Sequence, residues 1–392
     1  NFGQDSSFAG NKTAQGNGGV GEDFYYTPPT GYKALNTDNL DDPSIADPTA
    51  HMNTVLYTGN GGTQSVTGAG FAPDFVWIKN RTDAVNHGLF DTIRGVKNSL
   101  QSNTTTEART AAGATEDLYA FGTDGFSVGV DTGGTSYINC NESSKNYASW
   151  NWKAGGTASS NEEGSIDSSV SANTAAGFSI ATYTGDGSAA TIGHGLSSAP
   201  ELVIVKRRDA ASNWIVGSDE LQTSYWDYYI ILNTTAAEAS ESSNFGYNTN
   251  PTATTFPLGN NTATNASGGT YVAYCFHSVD GYSKVGSYTA NGNADGPFIY
   301  TGFRPAYTII KPYSRADNWA ISDSVRSTYN GSTNQLRANN NEADFANSAS
   351  AIDYLSNGFK IRTNDPGLNN STSDTYIYLA FAESPFKTSN AR

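Results

Sequence analysis

Charge is scarce in this chain of 392 residues, with Asp, Glu, Lys and Arg making up only 15%. Cysteine occurs twice, at Cys140 and Cys275, methionine once and histidine four times. Each scarcity removes a class of protein. Two cysteines cannot build the disulfide framework of a small stapled domain, and Cys275, in an apolar strand pattern, reads as a buried free thiol. His51, His87, His194 and His277 form no H-x-x-x-H, C-x-x-C or H-E-x-x-H pattern, so no transition-metal site is legible. No run approaches the roughly 18 apolar residues that a membrane span needs. No signal peptide opens the chain. The start at Asn1-Phe2-Gly3-Gln4, with Met52 the sole methionine, reads as a fragment or processed product. The little charge present is acidic, with a net charge of -15. That balance lacks the basic footprint of a nucleic-acid binder and the polybasic cluster of a membrane-surface contact. It suits solubility instead.

Ser, Thr, Asn and Gly fill the space that charge leaves. The first three compete with the helix backbone and Gly has too much freedom, so long helices are disfavoured and short strands joined by turns are favoured. With 23 Tyr and 18 Phe there is material for a core.

Internal repetition is the strongest signal. Pro73-Asp-Phe-Val-Trp-Ile-Lys79, Pro200-Glu-Leu-Val-Ile-Val-Lys206 and Pro305-Ala-Tyr-Thr-Ile-Ile-Lys311 share a frame. Seven positions past each Lys stands an Asn followed by a ring: Asn86-His87, Asn213-Trp214 and Asn318-Trp319. Tyr57, Tyr183 and Tyr288 precede the Pro by 16 or 17 residues, and Tyr147, Tyr271 and Tyr376 follow it by 74, 71 and 71. Asp124-Gly125 and Asn357-Gly358 are hairpin turn signals, while the second copy has Thr255-Phe256-Pro257-Leu258 there.

The pattern predicts an all-β fold of three tandem β-sandwich-like repeats of about 100 residues. They occupy residues 53–155, 177–282 and 283–387, with an exposed linker over 156–176 and a tail over 388–392. The runs at 75–78, 202–205 and 308–310 predict strands buried on both faces. Residues 108–112 and 235–240 hint at short helical turns. Residues 1–50 fall outside the repeat and read as the tail of a preceding β domain plus a linker.

Asn1-Phe2-Gly3-Gln4, Tyr26-Thr27-Pro28-Pro29-Thr30-Gly31 and Ala34-Leu35-Asn36-Thr37-Asp38-Asn39-Leu40 resemble the end of a SPRY-type, lectin-like sandwich of bacteriophage tail and virion proteins. Residues 53–387 resemble a β-rich repeat region that follows it, mostly in marine phages. Gly281-Tyr-Ser-Lys-Val-Gly-Ser-Tyr288, Thr301-Gly-Phe-Arg-Pro305 and Tyr376-Ile-Tyr-Leu-Ala-Phe-Ala-Glu-Ser-Pro385 carry that match. The resemblance implies a phage structural protein on the virion surface: a tail fibre, an appendage or a capsid decoration. Its expected partners are other virion proteins, further copies of itself (a trimer being common among appendages), and a host-surface glycan or protein.

No catalytic or cofactor site is legible, and the expectation is a protein that is not an enzyme. Glu162-Glu163 and Asp41-Asp42 are adjacent acids in loops, a poor setting for the fixed separation glycosidases need. Gly125-Phe-Ser-Val-Gly129 follows a hairpin turn and has no helix after it, so it is not a nucleophile elbow. Lys79, Lys206 and Lys311 read as snorkelling residues at sheet ends. Trp214 and Trp319 are candidates for stacking on sugar, which makes a carbohydrate-binding module the alternative function, ahead of a polysaccharide-degrading tailspike. The cluster around Tyr225 and Trp226 is a candidate contact surface. The Asn- and Asp-rich loops at 291–295 and 364–374 are candidate calcium ligands, although the strict calcium-loop spacing is absent.

Overall fold

Alternation along one strand sets the architecture. In Thr375–Pro385, residues Tyr376, Tyr378, Ala380 and Ala382 face one hydrophobic core while Ile377, Leu379 and Phe381 face another. Side chains alternate between sheet faces with period two, so this strand lies between two cores. Thr270–Phe276 does the same: Tyr271, Ala273 and Cys275 face one core, and Val272, Tyr274 and Phe276 the other. In Asn146–Trp152, Tyr147 faces outward and Ala148, Trp150 and Trp152 inward. The inward residues of all three strands belong to one and the same cluster.

The computed structural model describes residues 29–30, 32, 39–130, 138–221, 226–246, 249–346 and 351–389. Most of the stretch expected to close a lectin-like domain lies outside them. Within them the strands fall into three corresponding sets of antiparallel sheets. The first large sheet has the order Met52–Thr58, Asn146–Trp152, Phe75–Asn80, Gly88–Asp91. The second contains Phe178–Thr184, Thr270–Phe276, Leu202–Arg207, Trp214–Ser218 in the same order. The third contains Ser283–Thr289, Thr375–Pro385, Phe303–Pro312, Ala320–Asp323. A small sheet covers the outer face of each. In the first repeat it is Thr63–Thr67, Gly125–Gly129 and Asp117–Gly122, and in the third Phe298–Tyr300, Gly358–Ile361 and Ile352–Leu355.

Each repeat is thus a sandwich with a private outer core. The inner faces of the large sheets meet in a shared one built on Trp77, Trp150, Trp152, Trp214, Tyr274, Tyr307, Trp319 and Phe381. Burying a large side chain stabilises by about 1.5–3 kcal/mol, and five of the six tryptophans are committed to holding the repeats together. The sequences at 75–78 and 202–205 are apolar throughout because both faces are covered, and in 308–310 the one polar residue, Thr308, shares a buried hydrogen bond with the Tyr354 hydroxyl.

Three expectations need correction. Residues 156–176 are no loose linker: Ser159–Asn161 and Ser168–Asn173 form a hairpin that pairs with Phe178–Thr184 and extends the second large sheet. Its Ser and Asn content suits an edge that faces solvent on one side. Residues 108–112 and 235–240 are not helical, and they contain the short strands Arg109–Thr110 and Ala239–Ser240. Ala108 N–H donates to the Arg208 carbonyl and Glu238 N–H to the Tyr313 carbonyl, so backbone groups a helix would use are spent on the next repeat. The divergent Thr255-Phe256-Pro257-Leu258 forms a strand paired with Ala190–Gly193 in a two-stranded small sheet. Pro257 has no N–H to offer a third strand.

Candidate functional site

The residues singled out by repetition come together at the borders between repeats. The ring nitrogen of each Asn-aromatic pair meets a carbonyl of the preceding repeat. Trp214 Nε1 donates to the Gln101 oxygen at 2.8 Å, Trp319 Nε1 to Ile231 at 3.0 Å, and His87 Nε2 lies 3.0 Å from the Arg337 oxygen. The third of these joins the first repeat to the last, so the borders close into a ring. Trp214, Trp319 and His87 are at most 3% exposed. The two tryptophans are inside and offer no face for a sugar. Their apolar rings fill the shared core, and the one polar atom each carries is satisfied across the border.

A second Asn fixes each ring. Asn103, Asn233 and Asn339 accept a hydrogen bond from the backbone N–H of His87, Trp214 and Trp319 at 3.2, 2.8 and 2.8 Å. Each returns its amide to the preceding Asn, so Asn86, Asn213 and Asn318 are partnered. The offset between the two Asn residues drifts from 17 to 20 to 21, which hides the pairing in the sequence.

Lys79, Lys206 and Lys311 do not snorkel. All three are fully buried. Their ammonium groups sit among backbone carbonyls: Lys206 Nζ donates to Thr105 at 2.8 Å, and Lys311 Nζ to Thr235, Pro312 and Asp317 at 3.2, 2.8 and 2.9 Å. Thr105 and Thr235 belong to the preceding repeat, so the Lys206 and Lys311 amines are border ties too, while Lys79 Nζ donates to Asn80 and Asp83 of its own repeat. Burial lowers each of the three lysines to about 8.

Two borders carry a buried ion pair. Arg94 Nε donates to Asp91 at 2.5 Å, and Asp91 also accepts from Tyr274 Oη at 2.8 Å. Arg326 Nε donates to Asp323 at 2.6 Å, and Asp323 also accepts from Trp150 Nε1 at 3.1 Å. At the corresponding places of the remaining border stand Ser218, Leu221 and Leu379, all buried. The ion pair is present where the neighbour supplies a donor and absent where it supplies Leu379.

The repeated tyrosines stack outside the shared core. Tyr57–Tyr147, Tyr183–Tyr271 and Tyr288–Tyr376 have centroids 4.9, 5.1 and 4.9 Å apart. Their hydroxyls bracket a third buried Asn. Tyr57, Tyr183 and Tyr288 donate to the carbonyls of Cys140, Thr264 and Leu368, just before Asn141, Asn265 and Asn369. Asn369 in turn holds the loop proposed for calcium, through Asn291 N–H and the Asn293 carbonyl. Asp295 is paired with Lys360 and Arg362. The acceptor oxygens of that loop are engaged by the protein, and among the described residues no group of His, Cys, Asp and Glu is arranged to hold a metal.

Of the aromatic cluster in the second repeat, Trp226 is buried against Phe245 in that repeat's own core, and Tyr225 lies outside the described residues. The Gly-x-Ser-x-Gly string is the central strand of the first repeat's small sheet, with Ser127 Oγ 3.2 Å from Ser65 Oγ. Asp42 pairs with Lys387 at 2.6 Å.

One surface feature has no counterpart in the sequence patterns. At the border of the second and third repeats lies an open groove of about 340 Å³, lined by Glu220, Lys284, Ser287, Phe298, Tyr300 and Tyr378 among others. Phe298 is 45% and Tyr300 59% exposed, while Ile299 between them is buried. Glu220 accepts a hydrogen bond from Ser287 Oγ at 2.6 Å.

These features define an all-β protein of repeated sandwiches whose recurring polar residues join repeat to repeat. The chain belongs to the family described as a domain of unknown function, DUF7483, whose model matches residues 47–385. No curated protein and no solved structure matches it.

Proposed function

We propose that this chain is a structural protein of a phage particle, a rigid surface module that holds shape and carries an adhesive face. The phage context rests on the sequence resemblance given above. The mechanical half rests on one observation: the groups that recur in the repeats, namely the ring nitrogens, the lysines, the asparagines and the stacked tyrosines, are hydrogen-bonded or packed within the ring. Such polar groups, buried and satisfied, fix a unique arrangement. A module of this kind resists deformation because no repeat can move without uncovering the common core.

The test is to locate the protein on the particle. Antibody or tag labelling of whole virions, read by electron microscopy, is expected to decorate the capsid lattice or the tail. Purified virions that lack the protein, from a host producing it in soluble form only, would overturn the reading.

A further inference from the structure

We propose that the groove between the second and third repeats binds a pyranose unit of a neutral polysaccharide, a proposal that rests on the adhesive half of the reading above.

The repeats themselves provide the control. Ile299 in Phe298–Tyr300 pairs with Phe359, as Val66 pairs with Phe126 in the first repeat and Ile192 with Phe256 in the second. Phe298 and Tyr300 therefore occupy the places of Ser65 and Thr67, and of Thr191 and Gly193. Small or hydroxylic residues satisfy the fold at these two positions twice. The third repeat alone puts rings there and leaves them in water, which costs solvation and contributes nothing to either core. The strand alternates, so both rings stand on its outer face about 7 Å apart at the backbone.

The opposite wall is also particular to this border. Glu220 comes from the second repeat, where Ile93 and Val325 stand in the other two. It reaches Ser287 of the third repeat. Gly286 forms the bed: a Cβ there would meet the Tyr378 hydroxyl at 2.6 Å. Ring faces on one side, with a carboxylate, an ammonium on Lys284 and a hydroxyl on the other, match a sugar that has an apolar C–H face and a rim of hydroxyls. A volume of about 340 Å³ lies within the roughly 300–1,000 Å³ usual for small-ligand sites. The net charge of -15 disfavours acidic polymers, so the sugar is neutral.

The experiment titrates the intact chain with hexasaccharides of β-1,4-linked glucose and β-1,4-linked galactose, and with polygalacturonate as the acidic comparator, by calorimetry. Saturable binding of one neutral hexasaccharide is expected. Phe298→Ala combined with Tyr300→Ala should weaken it by about tenfold or more. Tyr329→Ala, 84% exposed on the same repeat, should leave it unchanged. Because Phe298 and Tyr300 are exposed, the double variant keeps the wild-type melting temperature, and Glu220→Gln gives a second reading of the opposite wall. Absence of binding to both neutral sugars, binding that survives the double variant, or equal binding of polygalacturonate overturns the proposal. So does concentration-dependent self-association abolished by the double variant, which would make the groove a contact between copies. Loss of the groove's activity leaves the particle-labelling result untouched, so the two readings fail separately.

Discussion

Trp77 donates its indole N–H to Nδ1 of His87 at 2.8 Å, inside the shared core. The tautomer follows: Nδ1 accepts, and Nε2 carries the proton that faces the Arg337 oxygen. Protonating the ring would set two donors against each other, and burial, followed by the charge of Lys79, holds the imidazole well below its usual range. The other repeats have Ile204 with Trp214 and Ile309 with Trp319 at these places. Large and small are exchanged between two neighbouring positions, as a close-packed core of fixed volume requires. His87→Trp alone should overpack and destabilise by about 1–3 kcal/mol. Adding Trp77→Ile should recover most of that loss, and denaturant midpoints of the two singles and the double are the measurement.

Acid should remove the contribution of the two buried histidines. His194 is buried and lowered to about 4, chiefly by desolvation, and His87 is lowered too. Both are neutral when folded and take up a proton near 6.5 when unfolded, so the unfolded state binds more protons between those values. The contribution of the two histidines is therefore lost as pH falls from about 6.5 to about 4, and Asp219, whose carboxyl burial raises to about 7, opposes it. The double variant Trp77→Ile/His87→Trp should show a shallower loss over that window in a pH series of melting temperatures.

The buried lysines act in the alkaline range. Their folded values are depressed to about 8 from the ordinary lysine value near 10.5, so the native state binds fewer protons between the two. Their contribution makes stability rise with pH from about 8 to about 10.5. Buried tyrosines and thiols oppose it, but a comparison cancels them. Lys311→Met should destabilise by about 1–3 kcal/mol at pH 7, because the carbonyls of Thr235, Pro312 and Asp317 lose a donor. Its deficit should change with pH only within that window.

The ion-pair borders predict strong coupling. Asp91→Ser leaves Arg94 buried without its carboxylate and should cost about 3–5 kcal/mol. Asp91→Ser, Arg94→Leu and Tyr274→Leu together reproduce the composition of the border that has Ser218, Leu221 and Leu379. The triple variant should be more stable than the single one, as measured by chemical denaturation.

Unfolding should be one event. The inward faces of all three large sheets form a single cluster, so a chain cut after residue 282 would expose Tyr274, Phe276 and their neighbours. Calorimetry of the whole chain should give one transition with matching calorimetric and van't Hoff enthalpies. Separable transitions for each repeat would contradict the shared core.

The sequence made the strands visible because their signals are local: apolar runs headed by Pro, and Asp-Gly or Asn-Gly turns. It made the repeats visible because Lys79, Asn86 and Tyr147 recur at near-constant offsets. What those residues do was not visible. A buried Lys and a snorkelling Lys look alike until the carbonyls around the amine are placed, and for Lys206 and Lys311 one of those carbonyls, Thr105 or Thr235, comes from a neighbouring repeat. Trp214 and Trp319 looked like a sugar platform for the same reason, since a ring in a sequence carries no mark of which face is covered. The two exposed rings, Phe298 and Tyr300, carry no repeat signal because they depart from the repeat rather than recur in it.

The direction of the border contacts has a geometric consequence. Each repeat offers its edge to the next and receives the edge of the one before, and Trp150 against Asp323 completes the circuit. Head-to-tail contacts that fail to close grow into fibres without limit. Here three copies use up these contacts within one polypeptide, so the assembly terminates itself and, among the described residues, leaves no docking edge of this kind for a fourth.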